Sequence, residues 1–255
     1  MGIITLTTDF GYGDHYAGVM KGVIAGIDPS ALVIDITHGI ESYNVAEATF
    51  KLYASYAYFP EGAIHVAVVD PGVGSARKAI AAESGGYRFV GPDNGIFSLV
   101  FDKCGVDGIV EITNPAFMLP RVSSTFHGRD IFAPAAAHLS KGAALRDLGK
   151  ELPSYERLDI PRPQEDGGVI TGKAVYADRF GNLVTNIPGS IIGDAVRVHV
   201  GDATIRHISD SYADGKESEL LAIVGSSGFL EVSLNKGSAL EFFGGNFPAV
   251  KILKG

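Results

Sequence analysis

AIHVAVVDPGVGSAR, residues 63–77, sets the fold class. Six of its first eight residues, all but His65 and Asp70, are apolar, without the polar alternation of a half-exposed strand. A continuous apolar run of this length marks a strand covered on both faces, the habit of parallel sheets flanked by helices. It ends in Asp70, turns through Pro71, Gly72, Val73 and Gly74, and returns with Arg77.

The neighbouring segments carry matching periods. IITLTT (3–8) and ALVIDI (31–36) read as strands, and DHYAGVMKGVIAGI (14–27) and NVAEATFKLYASYAYF (44–59) as helices. Strand and helix alternate at βαβ spacing, so the N-terminal part is an α/β domain with a mainly parallel sheet. KAIAAES and YRFVG follow as strands joined by a Gly85-Gly86 hairpin. RDIFAPAAAHLSKG (129–142) reads as a helix, with Pro134 either kinking it or lying in its first turn.

The texture then changes. LPSYERLDIPRPQEDGG (152–168) is rich in proline and charge and has no period. Short β-like runs follow it: VITGKAVYAD, LVTNI, AVRVHV, ELLAIVG, FLEVSL and ALEFF. The expected organisation is an N-terminal domain over 1–155, a linker over 156–167, and a small antiparallel β-barrel over 168–255.

Composition narrows the function. The 255 residues carry a net charge of -8 and no Lys/Arg run, which argues against nucleic acid and anionic membrane as partners and suits a cationic substrate better. One cysteine, Cys104, excludes an internal disulfide. No apolar run approaches the roughly 20 residues of a membrane span, and no leader is visible, so a cytoplasmic location is expected.

In open α/β sheets ligands sit at the carboxyl ends of strands. There the chain places TTDFGYGD with Asp9 and Asp14, DITHG with Asp35 and His38, the Asp70–Arg77 turn, GPDNG with Asp93 and Asn94, and STFHGRD with His127, Arg129 and Asp130. Each has an ordinary alternative: an Asp after a strand is often only a turn former or helix cap, and Gly72 and Gly74 could simply permit a turn. Their convergence is the signal. In the second part, DRFGN (178–182) is a tight turn offering Asp178, Asn182 and the Phe180 ring, or else an Asx hairpin. Ser226, Ser227 and Gly228 let a ligand approach the backbone.

Taken in order, TTDFG, DITHG, VVDPGVGS-R, GPDNG, STFHGRD, D-FGN--TN and SSGFLE--NKG resemble the S-adenosylmethionine hydroxide adenosyltransferase family over nearly the whole chain. Relatives of that family are fluorinating and chlorinating enzymes. The resemblance implies an α/β domain followed by a β-barrel, and hydrolysis of S-adenosylmethionine to adenosine and L-methionine by displacement at ribose C5′. Asp70, Arg77 and His127 match the positions that hold the attacking water. Asp9 matches the ribose-diol acceptor, with Asp14 in the same loop, and Tyr43 stands where a tryptophan packs the ribose in the halogenating enzymes. Thr125 and Phe126 wall the 5′ carbon, Asp178 meets the methionine ammonium, Asn182 the adenine edge, and Ser226 and Ser227 the carboxylate. Ser227 replaces an arginine of the halogenating enzymes. Tyr, Thr, Tyr and Ser of those enzymes give way to Asp70, Val73, His127 and Gly128, and an ionised Asp70 would repel a halide. The resemblance also implies no cofactor, no metal, and a homotrimer with sites between subunits. Two rival readings are a metal-dependent hydrolase using Asp9, His38, Asp70, Asp93 and His127, and a non-catalytic sensor of adenosine or S-adenosylmethionine.

Overall fold

The computed structural model describes residues 2–193 and 195–254, which fall into two compact units, 1–159 and 160–255. In the first unit, β1 (Ile3–Thr8), β2 (Leu32–Thr37) and β3 (Ile64–Val68) alternate with α1 (Tyr16–Ile27) and α2 (Val45–Ser55). Next come β4 (Ala79–Ser84), β5 (Tyr87–Pro92), α3 (Ser98–Cys104), β6 (Gly108–Ile112), α4 (Ala133–Ser140) and β7 (Gly149–Glu151). The sheet order is β2-β1-β3-β5-β4-β6-β7. The half β2-β1-β3-β5 is parallel, as the apolar run at 63–70 requires, and β4, β6 and β7 extend it antiparallel.

Every residue of β3 is buried, and its side chains divide by the period of two. Ile64, Val66 and Val68 pack with Met20 and Ile24 of α1 and the alanines of α4. Ala67 packs on the opposite face with Ala48 and Leu52 of α2 and Phe101 of α3. The Gly85-Gly86 hairpin forms with φ of 56° and 84°, the left-handed pair of a type I′ turn.

Two helices differ from their sequence reading. The 44–59 helix gives way to a 3-10 turn at Tyr56–Tyr58, because Pro60 forces Phe59 to extended backbone (φ -93°, ψ 154°). The 129–142 helix begins as a π turn, Gly128–Phe132, in which the Ala133 N–H reaches back to the Gly128 carbonyl. Pro134 lies in the first turn of α4, where its missing N–H costs no bond.

The second unit holds β8 (Gln164–Asp166), β9 (Val169–Ala177), β10 (Leu183–Pro188), β11 (Ala195–Val200), β12 (Ala203–Ile205), β13 (Ile208–Ser209), β14 (Leu220–Val224), β15 (Phe229–Leu234), α5 (Ala239–Phe242) and β16 (Ala249–Lys254). Its order is β12-β11-β16-β9-β10-β15-β14-β13, with β8 beside β9. The ends of that order approach each other, β12 near β14 and β11 near β13, so the sheet nearly closes as a barrel. The sequence reading misread one element of this unit and missed β8, β12, β13 and β16. ALEFF is not a strand: residues 239–242 form α5, capped by the Ser238 hydroxyl on the Glu241 N–H. AVKILK, read as nothing, is the central strand β16. Residues 155–158 belong to the first unit: Glu156 N–H donates to Asp93 (2.8 Å), Leu158 N–H to Ser98 Oγ (2.8 Å), and the Tyr155 ring meets Phe101.

Candidate active site

The loops at the carboxyl ends of β1 and β3 and the loop entering α4 enclose a cavity of about 420 Å³ in the first unit. It brings together Asp9, Asp14, Tyr43, Asp70, Thr125, Phe126 and His127, all named from sequence. Phe10 and Tyr16 complete its wall and were missed, although the aromatic-rich FGYGDHY was the available signal. Phe126 takes both edge-on, with ring centroids at 5.7 and 5.2 Å.

Asp9 is fixed by the chain opposite it. The Tyr43 N–H donates to Asp9 Oδ2 (2.9 Å), and Tyr43 itself stands at φ 68°, a left-handed backbone that a bulky side chain adopts only under constraint. Its ring remains 72% exposed at the cavity mouth. The rest of the Asp9 loop hangs on His38: Gly11 N–H donates to the His38 carbonyl (2.8 Å), and the His38 N–H to the Tyr12 hydroxyl oxygen (3.2 Å). The His38 ring is buried between Thr8 Oγ1 (2.8 Å) and Asp35 (3.1 Å). His38 therefore supports the loop and does not face the cavity.

Arg77 faces Asp70 and His127 and not the cavity. Its Nε donates to Asp70 Oδ1 (2.8 Å), its Nη2 to Asp70 Oδ2, and the same Nη2 to His127 Nδ1 (2.8 Å). The guanidinium also lies over the Phe132 ring at 5.3 Å. A guanidinium has no lone pair to offer, so Nδ1 must be the acceptor and the neutral ring carries its proton on Nε2. Burial first, and then the Arg77 charge, hold the His127 pKa below its ordinary value, against opposing pulls from Asp70 and Asp130. Arg77 thus fixes both the carboxylate and the tautomer from behind.

Besides the Arg77–His127 bond, the turn after β3 and the 123–128 loop approach closely at Gly74. Gly74 has φ 77°, and a Cβ there would lie 2.3 Å from the Ser124 carbonyl oxygen. Only glycine gives both the left-handed turn and this approach. The second loop is pinned by Asp130, fully buried, which accepts from the Ser123 N–H (2.8 Å) and from Arg129 (2.5 Å). Burial alone would raise the Asp130 carboxyl; the Arg129 and Ser123 bonds hold it below its ordinary range. Asp130 is thus a support of the loop rather than a helix cap.

Two residues of the metal-hydrolase reading, His38 and Asp93, lie outside the cavity that holds Asp9, Asp70 and His127. Asp93 holds the Glu156 N–H, His38 holds Thr8, and among the described residues no three His, Cys, Asp or Glu are grouped as metal ligands. No helix among them is long and apolar enough to cross a membrane.

The second unit has its own cavity of about 920 Å³, lined by Asp178, Phe180, Asn182 and Ser226 as read from sequence, and by Tyr212 and Glu231, which were not. Phe180 is 76% exposed. Asp178 is also an Asx turn: its Oδ1 accepts from the N–H groups of Phe180 (2.8 Å) and Asn182 (2.9 Å), and its Oδ2 from Asn182 Nδ2 (2.9 Å). Ser227 does not line this cavity; its hydroxyl is buried with no hydrogen-bond partner among the described residues.

The family models for the N-terminal and C-terminal domains of the S-adenosylmethionine hydroxide adenosyltransferases match residues 4–149 and 172–247. The chain belongs to that family. An (R)-S-adenosyl-L-methionine hydrolase from Thermus thermophilus is 37% identical over 93% of each chain. A more distant relative, a fluorinase from Actinoplanes sp., is 26% identical over 72% of this chain and 71% of its own. A crystal structure of an uncharacterized conserved protein from Thermotoga maritima superposes with a TM-score of 0.92 at 39% identity, over 98% of this chain and all of that one. The α/β unit followed by a barrel, expected from the resemblance, is the fold of this family member.

Proposed function

We propose that the chain is an S-adenosyl-L-methionine hydrolase that forms adenosine and L-methionine, acting on the (R) sulfonium configuration carried in the name of its Thermus relative. The observation that carries this reading is the Arg77 fork, which holds the Asp70 carboxyl group and the His127 imidazole side by side on one cavity wall.

The chemistry follows from charge. Water oxygen forms a bond to C5′, the C5′–S bond breaks, and its electron pair stays on sulfur as the neutral thioether of methionine. The sulfonium already activates the carbon and the leaving group departs uncharged, so no acid is called for. One proton must leave the water. His127 can only donate from Nε2, because Nδ1 is filled by Arg77, so it orients the water oxygen while Asp70 takes the proton. Asp70 keeps lone pairs for this, since each carboxylate oxygen accepts two hydrogen bonds. Asp9 suits the ribose diol, Tyr43, Thr125 and Phe126 pack about it, and Asp9, Asp14 and Asp70 together make the wall anionic toward a cationic sulfonium. Positioning and base catalysis together account for a barrier reduction on the order of 10 kcal/mol.

The reading assigns ribose and C5′ to the first cavity, and adenine and the amino acid to the barrel cavity of a neighbouring subunit in the homotrimer that the family resemblance implies. It routes no step through a metal or cofactor, and a cytoplasmic location goes with it. The test is incubation with each sulfonium epimer in ¹⁸O-labelled water. Label is expected in the adenosine 5′-hydroxyl and not in methionine. No adenosine above a heat-killed control would sink the reading, and tight binding without product would make the protein a sensor.

A further inference from the structure

Asp9 sits inside a turn whose bonds lead away from the cavity. The Phe10 N–H donates to the Thr8 hydroxyl oxygen (3.2 Å), so the side chain before Asp9 is tied to the backbone after it. Such a turn fixes the direction in which the enclosed side chain leaves the backbone. Thr8 is fully buried, and its Oγ1 lies 2.8 Å from His38 Nδ1. Across the imidazole, Nε2 stands 3.1 Å from Asp35 Oδ1, and Asp35 Oδ2 takes Lys21 Nζ of α1 at 2.5 Å. Thr8, Asp35 and His38 are all absent from the cavity lining.

The polarity of this chain is set from its far end. Burial alone would raise the Asp35 carboxyl; the Lys21 bond, and then His38, hold it below its ordinary range. A carboxylate only accepts, so the one proton of a neutral imidazole goes to Nε2, the nitrogen that faces it. His38 Nδ1 then offers a lone pair, the Thr8 hydroxyl proton points at it, and the lone pairs of Thr8 Oγ1 turn to the Phe10 N–H. We infer that Asp35 and His38 are positioning residues for ribose recognition, holding the Thr8 hydroxyl in the rotamer that aims Asp9 at the 2′,3′-diol. This rests on the proposed substrate.

The test is equilibrium binding of adenosine against 2′,3′-dideoxyadenosine, which lacks both hydroxyls, measured in each protein. The wild type should prefer adenosine about 10- to 100-fold, the scale of hydrogen bonds to a charged group. Thr8→Val keeps the volume and removes the hydroxyl, and should cut that preference at least about fivefold while leaving the dideoxy ligand within about twofold. Thr8→Ser keeps the hydroxyl and should retain the preference. Asp35→Ala acts at the surface end of the chain, where folding is least at risk, and should cut the preference at least about threefold. An unchanged preference in Asp35→Ala overturns the inference. So do equal losses on both ligands, the mark of a merely structural role, and a wild type with no preference. Adenosine formation from S-adenosylmethionine is followed separately: a wild type that shows the preference but forms no adenosine defeats the proposed reaction and leaves the positioning role standing.

Discussion

Arg77 Nη2 lies 2.8 Å from His127 Nδ1 while the same guanidinium grips Asp70 through two nitrogens. One cation therefore orients two groups that differ in kind, an acceptor and a donor. That division separates Asp70 from His127 in any pH or mutational experiment.

Asp70→Ala should cut kcat roughly a hundredfold or more, the usual scale for a positioned base, with KM nearly unchanged because the carboxylate addresses water. Arg77→Lys should also lose at least tenfold in kcat. A lysine keeps the charge but cannot hold Asp70 and His127 together. Steady-state kinetics check both; near-normal kcat in Asp70→Ala would show that the proton goes elsewhere.

The acid limb of the kcat profile should fall below pH 6.5, the ordinary histidine value. Burial and Arg77 disfavour the imidazolium, so His127 stays neutral above its depressed pKa and the tautomer is lost as pH falls through it. An apparent pKa at or above 6.5 for that limb, absent from His127→Ala, would contradict the tautomer.

Asp9→Ala should raise KM for S-adenosylmethionine about 10- to 100-fold and change kcat less, because a ribose contact is made equally in ground and transition states. It also frees the Tyr43 N–H from the bond that holds φ at 68°. A variant with unaltered KM would remove Asp9 from the ribose.

Gly74→Ala should cost roughly 1–3 kcal/mol in chemical denaturation, since a Cβ would stand 2.3 Å from the Ser124 oxygen at a left-handed φ. The relief available is movement of the 70–77 turn away from the 123–128 loop, so kcat should fall with stability. A stable, fully active variant would show that the two loops need not be in register.

His65 gives the fold an acid limit. It is fully buried, bonded to Thr5 Oγ1 (2.8 Å) and enclosed by Tyr56, Phe59, Tyr87 and Phe89. Burial lowers its pKa from 6.5 to about 4. The unfolded chain binds the proton first, so stability is full above pH 6.5 and drains as pH falls toward 4, by roughly 3 kcal/mol in all. Denaturant titrations at pH 7 and 4.5 check this, and His65→Gln should flatten the difference. An unchanged slope in that variant would assign acid lability to other groups.

Local pattern was enough for much of this protein. The continuous apolar run of β3, the helical spacing of α1 and α2, the Gly85-Gly86 turn and the polar loops at one sheet edge are each written in a few consecutive residues. So is the family resemblance, whose motifs lie in those loops. What local pattern could not hold was decided by long-range pairing. β5 inserts between β3 and β4, and AVKILK becomes a central strand, only because of partners far along the chain. The proton on His127 is placed by an arginine fifty residues earlier. Asp178, outward-facing by sequence, is spent on its own turn, whereas Glu231, in the mostly apolar strand β15, is given room by Gly225. Hydrogen-bond saturation and charge pairing are properties of neighbours in space, so tertiary structure alone decides which polar groups remain free to meet a substrate.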